Sequence, residues 1–207
     1  MHKIVRTWRW QLPHWEVENG TYFITMRCAG SLPTDVQNRL TEAARSTLQA
    51  EAKSEQFRQL QRRYFFLLDS YLDTGLGFAP FVGSSRVKQA LLILLDAIHL
   101  GKWQSGPLVL MPNHLHFVAR PSSSGSPDLE TFLTQFKGRS SRYLNQLLKR
   151  TGRLWQYEWF DHWIRSDSSL ERIRRYIQQN PVKAGLCADH TQFPGYHDGS
   201  IETVVWE

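Results

Sequence analysis

The chain has 207 residues, which at about 150 residues per domain predicts one domain, or one with an elaboration. Its longest apolar run, Ala90 to Leu95, is far short of the roughly 20 residues of a membrane span. The start, Met1 to Arg6, lacks the apolar stretch of a signal peptide, and two cysteines, Cys28 and Cys187, make neither a disulfide framework nor a zinc module. Together these features predict a soluble, cytoplasmic protein of a reducing compartment. Lys and Arg number 25 against 19 Asp and Glu, a net charge of +6 that favours a polyanionic partner. Between Lys137 and Arg153 lie Lys137, Arg139, Arg142, Lys149, Arg150 and Arg153, with no acidic residue among them. Without interleaved carboxylates, this stretch is a candidate for phosphate contacts rather than a solvated helix face.

In chain order, the first expected strand is Tyr22 to Cys28, where Tyr22, Ile24, Met26 and Cys28 alternate with Phe23, Thr25 and Arg27 after an Asn19-Gly20 turn signal. Residues 36 to about 72 contain no Gly or Pro and are rich in Gln, Glu, Ala, Leu and Arg, which predicts one long helix. The stretch from about 34 to 83 reads as a helical insertion in a single domain spanning 1–207. Ser84 or Ser85 is expected to cap a second helix that stops at Gly101. Pro107 to Met111 and Leu115 to Ala119 read as strands around a Pro112-Asn113 turn, a bulge in one strand being the alternative. Ser126 as cap and Pro127 at the first helical position predict a third helix, with an apolar stripe that includes Phe132, Phe136, Tyr143 and Leu147. Residues 159–165 read as a short strand. Ser168 and Glu171 form an expected capping box for a last helix that Pro181 ends. Strands interleaved with helices, two of them joined by a very short turn, predict an α+β fold with an antiparallel sheet backed by helices.

Two features carry chemistry. On a strand, His114 and His116 project from one face while Leu115 and Phe117 enter the core on the other. Two imidazoles on one face can begin a divalent-metal site but cannot complete it. On the last helix, Tyr176 and Asn180 are four residues apart, so they share a face beside the buried stripe of Leu170, Ile173 and Ile177. Arg172, Arg175 and Gln179 are expected to point away. The bland alternative makes Tyr176 a packing residue and Asn180 a helix cap. Combined, the two features suggest a metal held by His114, His116 and Asn180, with Tyr176 attacking phosphorus. Trp155 and its aromatic neighbours could stack unpaired bases.

The string Met111-Pro-Asn-His-Leu-His-Phe-Val-Ala-Arg120 resembles the HUH motif (His, hydrophobic, His) of single-tyrosine HUH transposases. The strings from Leu154 to Phe160 and from Tyr176 to Leu186 resemble one branch of them, the REP-associated tyrosine transposases. This resemblance implies a ferredoxin-like antiparallel sheet with the histidines on a central strand. It implies His114 and His116 as metal ligands, Asn180 as the residue completing the site, Tyr176 as nucleophile, and Mg²⁺ or Mn²⁺ as cofactor. The implied activity is nicking and rejoining of single-stranded DNA through a 5′-phosphotyrosine. The expected partner is DNA carrying hairpins or palindromic repeats, contacted by Lys137, Arg139, Arg142, Lys149, Arg150, Arg153 and Trp155. A monomer near the bacterial nucleoid is the expected state. The helical stretch from about 31 to 83 departs from compact members, and its bearing is expected to fall outside the catalytic core. Two readings compete: a phosphoesterase that uses water, and a nucleic-acid-binding domain with structural histidines.

Overall fold

The computed structural model describes residues 3–49 and 54–204. It opens on a ribbon absent from the expected elements, β1 (Ile4–Arg9) antiparallel to β2 (Pro13–Val17). Then come β3 (Thr21–Arg27), α1 (Thr34–Gln49), α2 (Glu55–Asp73) and α3 (Ser84–Leu100). The hairpin β4 (Trp103–Leu110) and β5 (His114–Pro121) turns at residues 111–113, so the bulge alternative falls away. After it follow α4 (Leu129–Leu147), β6 (Phe160–Ile164), α5 (Asp167–Lys183) and the short β7 (Tyr196–His197).

The main sheet runs β6-β3-β5-β4-β7 with every pairing antiparallel. This is the expected α+β architecture, and it puts β5 at the centre. Leu115, Phe117 and Ala119 face one apolar cluster with Leu94 and Ile98 of α3 and Phe132 and Phe136 of α4. The opposite face, with Phe23, Val109 and Val118, packs against Leu40 of α1, Phe65, Leu68 and Leu72 of α2, and Ile177 of α5. The stretch read as an insertion therefore shares a core with the sheet. Phe117 is fully buried, and Phe117→Ala would cost about 3–5 kcal/mol.

Several local expectations change. The long helix of 36–72 is two helices that pack on each other, and residues 50–53 of it lie outside the described residues. Ser54 caps the second of them by accepting from Phe57 N–H. At α3 the N-cap is Gly83, at φ 83°, a left-handed conformation that glycine adopts without a Cβ penalty, and no serine hydroxyl caps the helix. At α4 the cap is Asp128, accepting from Thr131 N–H. Ser126 instead ties its loop together, accepting from Ser122 and Ser123 and donating to Lys102 O. The α5 cap is Ser166 rather than Ser168, and Glu171 pairs with Arg175. Pro181 sits inside α5, whose C-cap is Ala184. Near a helix end the proline ring removes one hydrogen bond without stopping the chain.

A candidate metal centre and its tyrosine

The β3–β5 register sets Thr25 opposite His116 and Arg27 opposite His114. The pleat puts both histidines on the face covered by α2 and α5, where they are buried. Each imidazole is oriented by a hydrogen bond at Nδ1. His114 Nδ1 lies 2.7 Å from Asn113 Oδ1, and Asn113 is itself fixed by donating 3.0 Å from Nδ2 to Leu72 O of α2. With that N–H donated to Asn113, the lone pair of His114 is at Nε2, a buried atom with no hydrogen-bond partner among the described residues. Burial and the neighbouring His116 hold the His114 pKa well below the ordinary value, so the ring is neutral, the form that binds metal. His116 Nδ1 lies 2.7 Å from Thr25 Oγ1, which can take that N–H and leave Nε2 to face the site. Such outer hydrogen bonds fix the tautomer of a metal-binding histidine.

Helix α5 delivers Tyr176 and Asn180 to the same spot. The Tyr176 hydroxyl is 3.0 Å from His116 Nε2 and accepts from Asn180 Nδ2 at 3.2 Å. It donates to Asp69 Oδ1. Asn180 Oδ1 is the second buried atom of the site with no partner among the described residues. The four residues named from the sequence are therefore together. Asn180 is buried and its side chain faces Tyr176 rather than capping the helix.

Asp69 was not foreseen. It comes from α2, lies 3.2 Å from His116 Nε2, and forms with His114 and His116 a buried trio whose ligand atoms lie within 4.8 Å of one another. Burial alone would raise its carboxyl pKa, but His116, the Tyr176 hydroxyl and His114 outweigh that and hold it below the usual value. Burial and the Asp69 charge push the Tyr176 phenol far above its ordinary pKa, against the smaller opposing pull of Asn180. The helical stretch, expected to bear on features other than the catalytic core, reaches this candidate site, because α2 supplies Asp69 and anchors Asn113. A signal existed: Asp69 is a carboxylate inside the stripe Phe65, Leu68, Leu72, where a buried helix face should be apolar.

The residues expected to touch DNA divide. Arg142, Lys149 and Arg153 are exposed. Lys137 donates to Tyr157 O and lies 4.4 Å above the Trp159 ring, and desolvation there lowers its pKa to about 8. Arg150 is held by Asn145 Oδ1 and Arg153 O and stacks on Phe78. Arg139 bonds Gln135 one turn back. Trp155 is only 3% exposed and donates from Nε1 to Ser140 Oγ, so its expected base-stacking role gives way to packing. Tyr143, expected in the apolar stripe, is 50% exposed. Arg172, expected to point away, lines a cavity with Tyr176.

Comparison with known proteins finds a sequence likeness and a likeness of fold. Residues 96–180 match the family model described as IS200-like transposase. That segment is under half of the chain, but it contains both histidines, Tyr176 and Asn180, and leaves out Asp69. A solved structure described as a REP-associated tyrosine transposase bound to a REP hairpin aligns with 93% of this chain and 82% of its own. Its TM-score is 0.50 at 15% sequence identity, a likeness of fold. No curated protein sequence matches the chain.

Proposed function

With IS200-like transposase sequence spanning both histidines and the tyrosine, we propose that this protein nicks and rejoins single-stranded DNA through a covalent link to Tyr176. The observation that carries the reading is the convergence of Tyr176, His116, Asp69 and Asn180 around two buried polar atoms that lack partners among the described residues. Such orphan atoms are costly unless a ligand uses them.

The donor set fits a divalent cation, Mg²⁺ or Mn²⁺, held by His114 Nε2, His116 and the Asp69 carboxylate with Asn180 Oδ1 alongside. Such an ion supplies polarisation of a phosphate oxygen and offsets charge on the reacting phosphate. The remaining work belongs to side chains. Tyr176 Oη forms a bond to phosphorus as the bond from phosphorus to the 3′-oxygen breaks. The phenol proton leaves along the hydrogen bond to Asp69. Asn180 Nδ2 keeps donating to Oη as negative charge develops there. One strand end is then a 5′-phosphotyrosine, and the leaving 3′-oxygen takes a proton from solvent to become a free 3′-OH, which can reverse the step. The exposed Arg142, Lys149 and Arg153 are suited to hold the DNA backbone, and hairpin DNA is the proposed substrate.

The test is incubation of 3′-labelled single-stranded hairpin DNA with Mg²⁺ or Mn²⁺, followed by denaturing electrophoresis. Wild type should give a labelled band that migrates with the protein. Tyr176→Phe removes one oxygen, keeps the ring, and should bind DNA without forming that band. Cleavage that releases both ends free, or full activity of Tyr176→Phe, contradicts the reading.

A further inference from the structure

Beside Tyr176 lies a cavity of about 350 Å³, within the range of small-ligand sites. Its floor is aromatic. Phe65 meets the Tyr176 ring edge-on at 5.5 Å and the Phe160 ring at 4.9 Å, and Phe23 packs edge-on to Tyr176 at 5.7 Å. The far end is Trp15 stacked on Phe57. Phe66 also lines the cavity and is 62% exposed, an unusual place for a phenylalanine whose neighbours are buried.

The rim is cationic: Arg58, Arg62, Arg165 and Arg172 all line the cavity. One exposed carboxylate, Glu55, serves both Arg58 and Arg62. Arg165 stacks over Trp15 and Trp163, and Arg172 has no carboxylate partner among the described residues. His162 also belongs to the lining. It reaches solvent, yet the protein mass crowded around it and the charges of Arg165, Arg62 and Arg172 hold its pKa down to about 4.

We propose that this cavity holds one unpaired nucleobase of single-stranded DNA against its aromatic floor, with the arginine rim holding the flanking phosphates. The identification of the strand as DNA rests on the function proposed above. An apolar floor alone would also suit a protein segment, but four guanidinium groups in the lining favour a polyanion. Aromatic faces beneath a cationic rim are the pattern by which proteins hold single strands, and a cavity of this size admits a base, not a duplex. Tyr176 joins the two sites, with its ring lining the cavity and its hydroxyl meeting Asp69 and His116. A seated base would therefore bring its neighbouring phosphate to Oη. Phe57, Arg58, Arg62, Phe65 and Phe66 all belong to α2, outside the segment that matches the transposase family. The helical stretch thus supplies one side of the grip on this nucleotide.

The experiment is an abasic scan read by binding. A fluorescent single-stranded hairpin oligonucleotide with unpaired flanks is made with one abasic residue at each flanking position in turn. Its affinity is measured by anisotropy without divalent metal. In wild type, one position should cost about tenfold, the scale of one stacked base. Phe66→Ala and Arg172→Ala, both at exposed residues and so expected to fold, should each weaken the intact oligonucleotide by a similar factor. Phe66→Ala should then be indifferent to the sensitive abasic position, and Phe66→Trp should restore both effects. Leu92→Ala, an exposed apolar change on α3, should do nothing. A uniform scan, or an abasic penalty that persists in full in Phe66→Ala, overturns the base pocket. A clear scan without any covalent adduct in the labelled-DNA assay supports the pocket and contradicts only the strand-transfer reading.

Discussion

Two groups of buried histidines sit on the sheet strands and the ribbon of this protein, and they differ in what their nitrogens meet. His14, on β2, has no exposed surface. Its Nδ1 meets Asp161 and its Nε2 lies 2.9 Å from Glu158, while the ring packs between Trp8 and Trp159. Desolvation opposes its charge, but Asp161 and Glu158 overcome that and push its pKa up to about 9. Every polar atom of that ring is used. His114 is as deeply buried and has one nitrogen on an amide, one nitrogen with no partner among the described residues, and a pKa driven down. His116 beside it shares the Asp69 carboxylate with a tyrosine. Burial alone does not separate these two environments. The distinction lies in whether each ring nitrogen already has its partner and whether nearby carboxylates are numerous enough to hold it charged.

The largest effects should come from exchanging these two environments by mutation. His114→Ala or His116→Ala should abolish metal-dependent cleavage while circular dichroism still reports the folded protein, the unfolding midpoint falling because each change empties a buried space. Asp69→Asn should lower cation affinity in calorimetry about tenfold or more, the scale on which disturbing a metal site's polar partners acts. An undiminished affinity would remove Asp69 from the site. His14→Ala should do the reverse. It leaves Asp161 and Glu158 with their bonds from Trp159 and Gln11 but without a counter-charge, and should cost about 3–5 kcal/mol in urea unfolding, while cation affinity stays at the wild-type value. A His14→Ala protein of normal stability would mean that the carboxylate clamp contributes nothing.

A pH titration sharpens the same contrast. In the folded protein the His14 pKa is pushed up to about 9 from its ordinary 6.5, so folding favours the protonated ring. Its contribution is full below about pH 6.5 and fades as pH rises through about 9, on the order of 3 kcal/mol at 1.4 kcal/mol per unit. Wild type should therefore lose stability across that window in urea unfolding, and His14→Gln should lose much less. Parallel curves for the two proteins would contradict the clamp.

The smallest expected effect separates the exposed basic residues from the packed one. Arg142→Ala with Arg153→Ala should weaken DNA binding across sequences and lower the salt slope by about one per lost phosphate contact. Lys137→Ala should leave that slope alone, because its ammonium is spent on Tyr157 O and the Trp159 ring. Equal slope changes for the two variants would return Lys137 to the DNA surface.

The sequence made one half of the site legible and hid the other. His114 with His116, and Tyr176 with Asn180, were readable because strand and helix periods put each pair on one face without any knowledge of the fold. Asp69 was hidden because its role depends on α2 folding over a strand 45 residues further along the chain, and no local period reports that. Thr25 and Asn113 were hidden for the same reason, as they act by cross-strand register and by a carbonyl at the end of α2. The ribbon at Ile4–Arg9 and Pro13–Val17 carries too short a pattern, interrupted by Pro13, to stand out beside the longer alternation of β3. Trp155 and Lys137 are less open than their chemistry suggests, because composition reports a side chain's chemistry and not its exposure: Ser140 and Phe81 pack on Trp155, and half-exposed Lys137 lies over Trp159.

The central claim is that the Tyr176 oxygen becomes the link to DNA. Arg175 and Lys183 flank a tryptic peptide running from Tyr176 to Lys183, which contains no other tyrosine. The adduct formed on single-stranded hairpin DNA can be trimmed with nuclease, digested with trypsin and sequenced by mass spectrometry. The account requires a nucleotide phosphate on that peptide, carried by Tyr176. A nucleotide on Tyr143 or Tyr157, with the 176–183 peptide unmodified, would contradict it.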